Sequence, residues 1–271
     1  MSETPESRTV AVQSVLVAVR VLEALALAGA PLRVTDIARA LGEPKGRMHR
    51  HLVTLRLAGL VAQDPATERY HLTWRLFEIG QAAGEQFDLK RIAEPEMHRL
   101  RDAAGQSVLL SVPAGAAPLV VHALEADNKV SITVKPGNRP PAHCSAQGRL
   151  MLAFASDEAR ERSLSGTLAP LTRASMTDAT AIRARLALVR DRLWETAPSE
   201  TLLGINVLAA PLFAADDVLV GSIGLVGSEQ FVEDPPAPAQ LLLLREAAAA
   251  ISRRLGSDRY SRDSTGTKSR Q

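Results

Sequence analysis

Between Pro44 and Arg69 the chain carries five cations, Lys45, Arg47, Arg50, Arg56 and Arg69, against two acids, Asp64 and Glu68. Cations at this density suit a polyanion: a guanidinium grips a phosphate or a guanine edge with paired donors, and an ammonium meets phosphate as a point charge. Their spacing says how they are presented. At 100° per residue Met48, Leu52 and Leu55 share one helix face, while Arg47, Arg50 and Thr54 point the other way, with Lys45 and His49 at the flanks. A merely solvated face fits this helix alone as well as a DNA-reading one does.

A second group with possible chemistry is His143-Cys144-Ser145-Ala146-Gln147-Gly148. Cys144 beside His143 raises a nucleophile and its base, but adjacent residues on an extended segment point apart, and a lone Cys is commonly a small buried hydrophobe. The small residues Ser145, Ala146 and Gly148 at a helix start leave backbone amides free for a carboxylate, or else allow close helix packing. The six histidines, at 49, 51, 71, 98, 122 and 143, show no metal-ligand spacing. Gly221, Gly224 and Gly227 lack both the ending of a phosphate loop and the spacing of a nucleophile elbow. These residues point to no catalytic activity, no metal and no cofactor.

The elements that must position the cations are legible. Gln13 to Ala28 reads as a helix, with Ser14 as its cap and Val17, Val21, Leu22 and Leu25 as its buried stripe. Thr35 reads as the cap of a short second helix bearing Ile37, Ala38 and Leu41. Gly42 ends that helix and Pro44 opens the next. Two helices joined by a short Gly-containing turn form a helix-turn-helix. Leu60 to Gln63 and Arg69 to Leu72, separated by Asp64-Pro65-Ala66-Thr67, read as a hairpin wing from which Arg69 reaches a phosphate. The wing shifts the basic helix from solvated face toward reading head.

Thr73 to Gln86, with Trp74, Leu76, Phe77 and Ile79, is a linker helix whose apolar side needs a partner, either the wing domain or a second copy. Leu89 to Gly105 is a further helix, in which Pro95 should cost a hydrogen bond or a kink unless it marks the true first turn. Strands follow at 107–112, 118–124 and 130–134, then a helix from Ser145 to Phe154 and a short one capped by Asp157. A long helix covers 177–194, and strands at 205–213 and 218–226 are joined by Ala215-Asp216-Asp217. A last helix runs over 239–255. This order does not alternate as a doubly wound fold requires, so the class is α+β with a mainly antiparallel sheet.

At 271 residues, 46% hydrophobic and 23% charged, the chain has room for about two domains with their own cores. A net charge of +2 confines any nucleic-acid binding to a local patch, and 3% aromatic content argues against broad base-stacking surfaces. A single Cys excludes an internal disulfide and suits a reducing compartment. Residues 1–12 read as a flexible lead without the apolar core of a signal peptide, and no apolar run is long enough to span a membrane, so the expected location is cytoplasmic.

The stretch from Val12 to Gly80 resembles the winged helix-turn-helix of IclR-type bacterial transcriptional regulators. GNRPPAHCSAQGRLMLAF, TDATAIRARLALVRDRLW and SETLLGINVLAAPLFAADDVLVGSIGLVG are similar, in order and spacing, to that family's GAF-like effector-binding domain. The resemblance implies a winged helix-turn-helix over 13–72, a linker and dimerisation helix over 73–88, and a GAF-like effector-binding domain over 89–256, while the polar Ser, Arg, Asp and Gly of 257–271 read as a disordered tail. It implies a double-stranded DNA operator, a small-molecule effector, and a homodimer or dimer of dimers, with no membrane partner. Ser14 and Thr35 would then meet phosphates, and Lys45, Arg47, His49 and Arg50 would lie at or near the groove. Gly46 and Arg47 stand where the family usually has Ser and Thr.

In the family the positions matching Ala146 and Gln147 touch the ligand through the main chain. In members that bind small polar acids, the positions matching Ala197, Val207, Gly224 and Val226 carry Asp, Cys and Ser. Here all four are apolar or bare, which implies an effector with a carboxylate at the Ser145-Ala146-Gln147 turn and an apolar or aromatic body toward Ile132, Val207, Gly224 and Val226. Glu200 and Asn206 lie in the same stretch and suit a solvent-facing role equally well. A metabolite-blind dimeric scaffold, or an enzyme domain fused to a DNA-binding module, stays open as an alternative.

Overall fold

The computed structural model describes residues 12–85, 88–115, 117–127 and 132–266. The chain divides into two compact units at residues 86 and 87. The lead up to residue 11, the first part of the strand expected at 130–134 and the last five residues lie outside the described residues.

The first unit holds α1 (Gln13–Ala28), α2 (Val34–Leu41), α3 (Lys45–Leu57), the hairpin strands β1 (Val61–Gln63) and β2 (Tyr70–Leu72), and α4 (Trp74–Glu85). Val17, Val21 and Leu25 of α1, Ile37 and Ala38 of α2, and Met48, Leu52 and Leu55 of α3 close one core with Val61 and Tyr70. Gly42, at φ 64°, gives the sharp exit from α2, and Pro44 is the residue just before α3. The wing is antiparallel, Val61 opposite Leu72, and its turn is braced by Asp64, whose carboxylate accepts from the amides of Ala66 and Thr67. The Ala66 amide first, and then the Thr67 side chain, hold the Asp64 carboxyl below the usual range. Leu32 bridges to Tyr70, tying the wing back to the connection between α1 and α2.

Neither expected helix cap forms here. Val12 precedes α1 and Arg33 precedes α2, so Ser14 and Thr35 are each the second residue of their helix and both are exposed. Asp36 does the capping of α2 in part, accepting from the Arg33 amide at 3.4 Å.

In the second unit the five-stranded sheet has the order β4-β3-β7-β6-β5, every pair antiparallel. The strands are β3 (Ser107–Ala114), β4 (Ala117–Leu124), β5 (Glu195–Thr196), β6 (Ile205–Phe213) and β7 (Leu219–Ser228). α5 (Asp88–Ala104) and α9 (Pro238–Arg254) cover one face, where Met97, Leu100, Leu244, Ala248 and Ile251 meet Val108, Leu110, Leu208, Ala210, Ile223 and Leu225. α6 (Ala146–Phe154) and α8 (Ala179–Arg192) cover the other, where Leu150, Ile182, Leu186 and Val189 meet Val207 and Ala209. The alternation of side chains along β6 serves both layers. α5 runs through Pro95, which sits on its exposed side.

Three expectations are corrected and one element is new. Residues 132–134 belong to no strand; instead the turn at Gly137 and Asn138 bonds to Val120 on the outer edge of β4. The edge strand β5 is an addition, two residues being too short to leave a periodic signal. Ser156, not Asp157, caps α7 (Asp157–Leu164), accepting from the Ala159 amide. The tail expected to be disordered carries α10 (Arg259–Gly266), docked by Tyr260, whose hydroxyl donates to Pro211 O at 2.7 Å.

Candidate nucleic-acid interface and effector site

α3 presents its cations as its spacing requires. Lys45, His49 and Arg50 are exposed, Met48, Leu52 and Leu55 are buried, and Thr54 donates back to Arg50 O. Arg50 lies nearly opposite the buried stripe, at the centre of the front. Arg47, to one side of it, is held: its Nη1 donates to Glu43 Oε2 at 3.0 Å. Arg56 donates to Gln63 of the wing. Arg69 does not extend from the wing tip; its guanidinium donates to Pro31 O at 3.1 Å, on the connection between α1 and α2. Ser14 and Thr35 add exposed hydroxyls at the starts of α1 and α2.

The start of α6 is a polar turn beneath helix and sheet. Ser145 is its N-cap: Oγ accepts from the Gly148 amide at 3.2 Å and donates to Pro141 O at 2.6 Å. The amides of Ala146 and Gln147 have no partner among the described residues, and both residues are buried. Ala146 packs in one cluster with Val207, Val207 sits opposite Val226 in the β6–β7 ladder, and a side chain on Gly224 would meet Val207 at 3.4 Å. Thus Ser145, Ala146, Gln147, Val207, Gly224 and Val226 fall around one place. Ile132 is half-buried, with no contact that joins it to them.

Gly148 is required for this turn rather than for helix-on-sheet packing. A Cβ there would stand 2.5 Å from both Cα and O of Ala142 and 2.6 Å from Ser145 Oγ. Gly148→Ala is expected to cost about 1–3 kcal/mol, the usual range for forcing atoms into a packed site, and to displace the free amides. Thermal unfolding together with ligand titration checks both effects.

The residue that sequence reasoning missed is Arg149. It is fully buried one turn into α6, and its guanidinium donates to His143 O, Thr196 O, both carboxylate oxygens of Glu200 (2.9 and 2.7 Å) and, at 3.4 Å, to Glu195. Glu195 is itself the hub of Arg149, Arg185 and Arg192. Glu200 and Asn206 are buried, correcting the solvent-facing reading: Glu200 also accepts from the Met176 amide, and Asn206 bonds the Ala197 amide and Val232 O. The charge of Arg149 is met by Glu200 and Glu195, and only its buried Nε is left without a partner among the described residues. A carboxylate entering here has the α6 amides.

The nucleophile reading of Cys144 finds no geometry. Burial pushes its thiol up, the Glu200 charge adding to this, so the thiolate is suppressed, and His143 bonds Ala169 O instead. Among the described residues no group of three or more His, Cys, Asp or Glu is placed to hold a metal, and no helix is long and apolar enough to cross a membrane.

His122, on β4, lies 3.5 Å from Glu94. Burial first, then Lys90, holds it below the usual imidazole value, Glu94 opposing. The unfolded chain therefore takes up this proton first as pH falls, so stability should decline below about pH 6.5 and level off beneath the folded pKa. Comparing unfolding curves of the wild type and His122→Asn between pH 7.5 and 5 (about that range) checks it: the variant should lose part of the decline.

Comparison with known proteins places both units. Residues 14–65 match the IclR helix-turn-helix domain, and residues 81–253 match the bacterial transcriptional regulator IclR C-terminal domain. The chain is 32% identical over 251 residues to the glycerol operon regulatory protein of Streptomyces griseus, covering 92% of this chain and 98% of that one. It superposes on an IclR transcriptional regulator from Alicyclobacillus acidocaldarius with a TM-score of 0.81 at 26% identity, over 91% of this chain and 100% of the other. An IclR homologue from Microbacterium hydrocarbonoxydans, solved with 4-hydroxybenzoate, gives a TM-score of 0.76 at 26% identity, over 89% and 98%. With both domains matched in order and a relative aligned over nearly its whole length, the chain belongs to the IclR family of bacterial transcriptional regulators, ligand-responsive proteins that bind DNA.

Proposed function

We propose that this regulator binds its operator through the front of α3 as a homodimer and senses a small organic acid with an apolar or aromatic body. The observation that carries the effector reading is the pairing of the two unpartnered amides, Ala146 and Gln147, with the apolar patch of Val207, Gly224 and Val226. The amides suit a carboxylate at a helix N-terminus. The patch offers no polar side chain, so it suits the apolar or aromatic body of the ligand and not a second charged group. The 4-hydroxybenzoate complex of the Microbacterium relative supports a ligand of this kind.

Dimerisation is supported by apolar side chains left open on the first unit: Val15, Leu16 and Val19 on α1, and Trp74, Phe77 and Ile79 on α4. Trp74 and Phe77 stand edge to face at 5.9 Å on α4, and large apolar side chains left open in this way suit an interface. Two reading heads would also double the length of DNA site read. Ligand acts by favouring one dimer geometry over another, which requires that it bind the two with different affinity.

Calorimetric titration with 4-hydroxybenzoate, benzoate and short aliphatic acids tests the effector reading. Heat is expected from the aromatic acids and not from the aliphatic ones, and it should vanish in a variant with Val207→Asp, which sets a charge in the patch. Silence across both sets would favour a metabolite-blind scaffold. Sedimentation of Trp74→Ser/Phe77→Ser against the wild type tests the dimer, the variant being expected as monomer.

A further inference from the structure

The turn between α2 and α3 holds a carboxylate that the groove reading does not use. Glu43 is nearly buried, its side chain 14% exposed. Its backbone is fixed by a bond from its amide to Ala38 O at 3.0 Å, and Gly42 sets its direction. Its Oε2 accepts from Arg47 Nη1 at 3.0 Å, and its Oε1 lies 3.5 Å from Nη1 of Arg20 on α1. Arg20 Nη2 in turn donates to Leu41 O, the last carbonyl of α2, at 2.9 Å. One carboxylate therefore locks α1, the turn and α3 together and carries two arginines.

Arg47 stands in the first turn of α3, the part of a recognition helix that approaches base edges. With Nη1 on Glu43, its Nε and Nη2 have no partner among the described residues. That edge is a two-donor fork, the same fork that Arg183 turns on Glu161 elsewhere in the chain, with Nε and Nη2 on the two carboxylate oxygens. A guanine offers a matching pair of acceptors in the major groove. A long exposed side chain normally scatters over rotamers and follows the nearest phosphate; a fixed one with its charge compensated cannot.

We propose that Glu43 is the positioning residue for sequence reading by this head. It holds the Arg47 fork in one pose for a base edge and cancels charge that would otherwise serve sequence-blind phosphate binding. The inference rests on the reading that the front of α3 enters the groove. Glu43 lies in the turn, four residues before Arg47, and its carboxylate meets the Arg47 guanidinium at the start of α3.

The test uses the full-length protein, a duplex selected by it from a random pool, and a scrambled duplex of the same length. Binding of each is measured by fluorescence anisotropy over a range of salt for the wild type, Glu43→Gln, Arg47→Ala, the double variant and Arg50→Ala. Glu43→Gln keeps the shape and removes the charge. It should bind the scrambled duplex several-fold more tightly, steepen the salt dependence by about one phosphate contact, and lower the ratio of selected to scrambled affinity about tenfold. Arg47→Ala should lower that ratio without the gain on scrambled DNA, and adding Glu43→Gln to it should lower the ratio no further.

An unchanged ratio in Glu43→Gln overturns the proposal, as does a double variant whose losses simply add, since Glu43 would then act apart from Arg47. Loss of the ratio in Arg50→Ala alongside either result leaves the groove reading standing. If Arg47→Ala and Arg50→Ala both bind like the wild type, the groove reading itself has failed, and the proposal with it.

Discussion

Replacing Arg149 with Met is expected to cost the second unit about 3–5 kcal/mol, the range for stripping one partner from a buried ion pair. The guanidinium is wholly inaccessible and supplies donors to four groups, His143 O, Thr196 O, Glu195 and Glu200. Glu195 survives the loss, because Arg185 and Arg192 still bond it. Glu200 does not: what remains to its carboxylate is the Met176 amide at 3.0 Å. The penalty is thus largely that of a carboxylate left in a dry site, and it should be relieved when that carboxylate also goes. Arg149→Met/Glu200→Met is expected to recover much of the loss, as charge-to-apolar replacement of buried pairs often does. Denaturant unfolding of both single variants and the double measures the coupling. Additive losses would show that the pair does not act as a unit.

The same cluster shows where the sequence stops being informative. Arg149 and Glu200 are 51 residues apart, and nothing local to either predicts the other. The hint is an arginine set among Leu150, Met151 and Leu152, where a stripe would otherwise be unbroken. Periodic features, in contrast, needed only neighbours three or four residues away: Met48, Leu52 and Leu55 on α3, or Ile182, Leu186 and Val189 on α8, are buried together as their spacing requires. The ladder of β6 and β7 follows from two apolar runs and a turn.

Features settled by a single residue were less legible. Ser14 and Thr35 have the chemistry of caps, but Val12 and Arg33 hold those places, since a shift of one or two residues in where a helix starts moves the cap. The polar composition of the C-terminal stretch suggested disorder, yet Tyr260 finds Pro211 O, and Arg259 lies 4.7 Å over the ring of Phe213. One aromatic anchor and one stacked cation are invisible to composition. At the proposed effector site the free amides of α6 and the apolar matched positions were readable residue by residue, whereas the pairing of Arg149 with Glu200 was not.

Arg50→Ala is expected to weaken binding to a selected operator by about 10- to 100-fold while leaving the melting temperature unchanged, since a two-donor contact to a base carries roughly 1–3 kcal/mol of discrimination. Arg50 faces away from Met48, Leu52 and Leu55, and no side-chain bond holds it among the described residues, so the fold loses nothing when it is truncated. Its place at the centre of the exposed front puts it deepest in a groove that receives α3. Lys45 provides the contrast. It is exposed at the first position of α3, and as an ammonium it meets phosphate as a point charge, so Lys45→Ala should weaken selected and scrambled duplexes alike and flatten the salt dependence by about one contact. Arg50→Ala should instead weaken the selected duplex far more than the scrambled one. Anisotropy titrations of both variants against both duplexes at several salt concentrations separate the two behaviours. If Arg50→Ala lowered both affinities equally, Arg50 would be a phosphate contact, and base reading by α3 would fall to Arg47 and His49 on the flanks of the front.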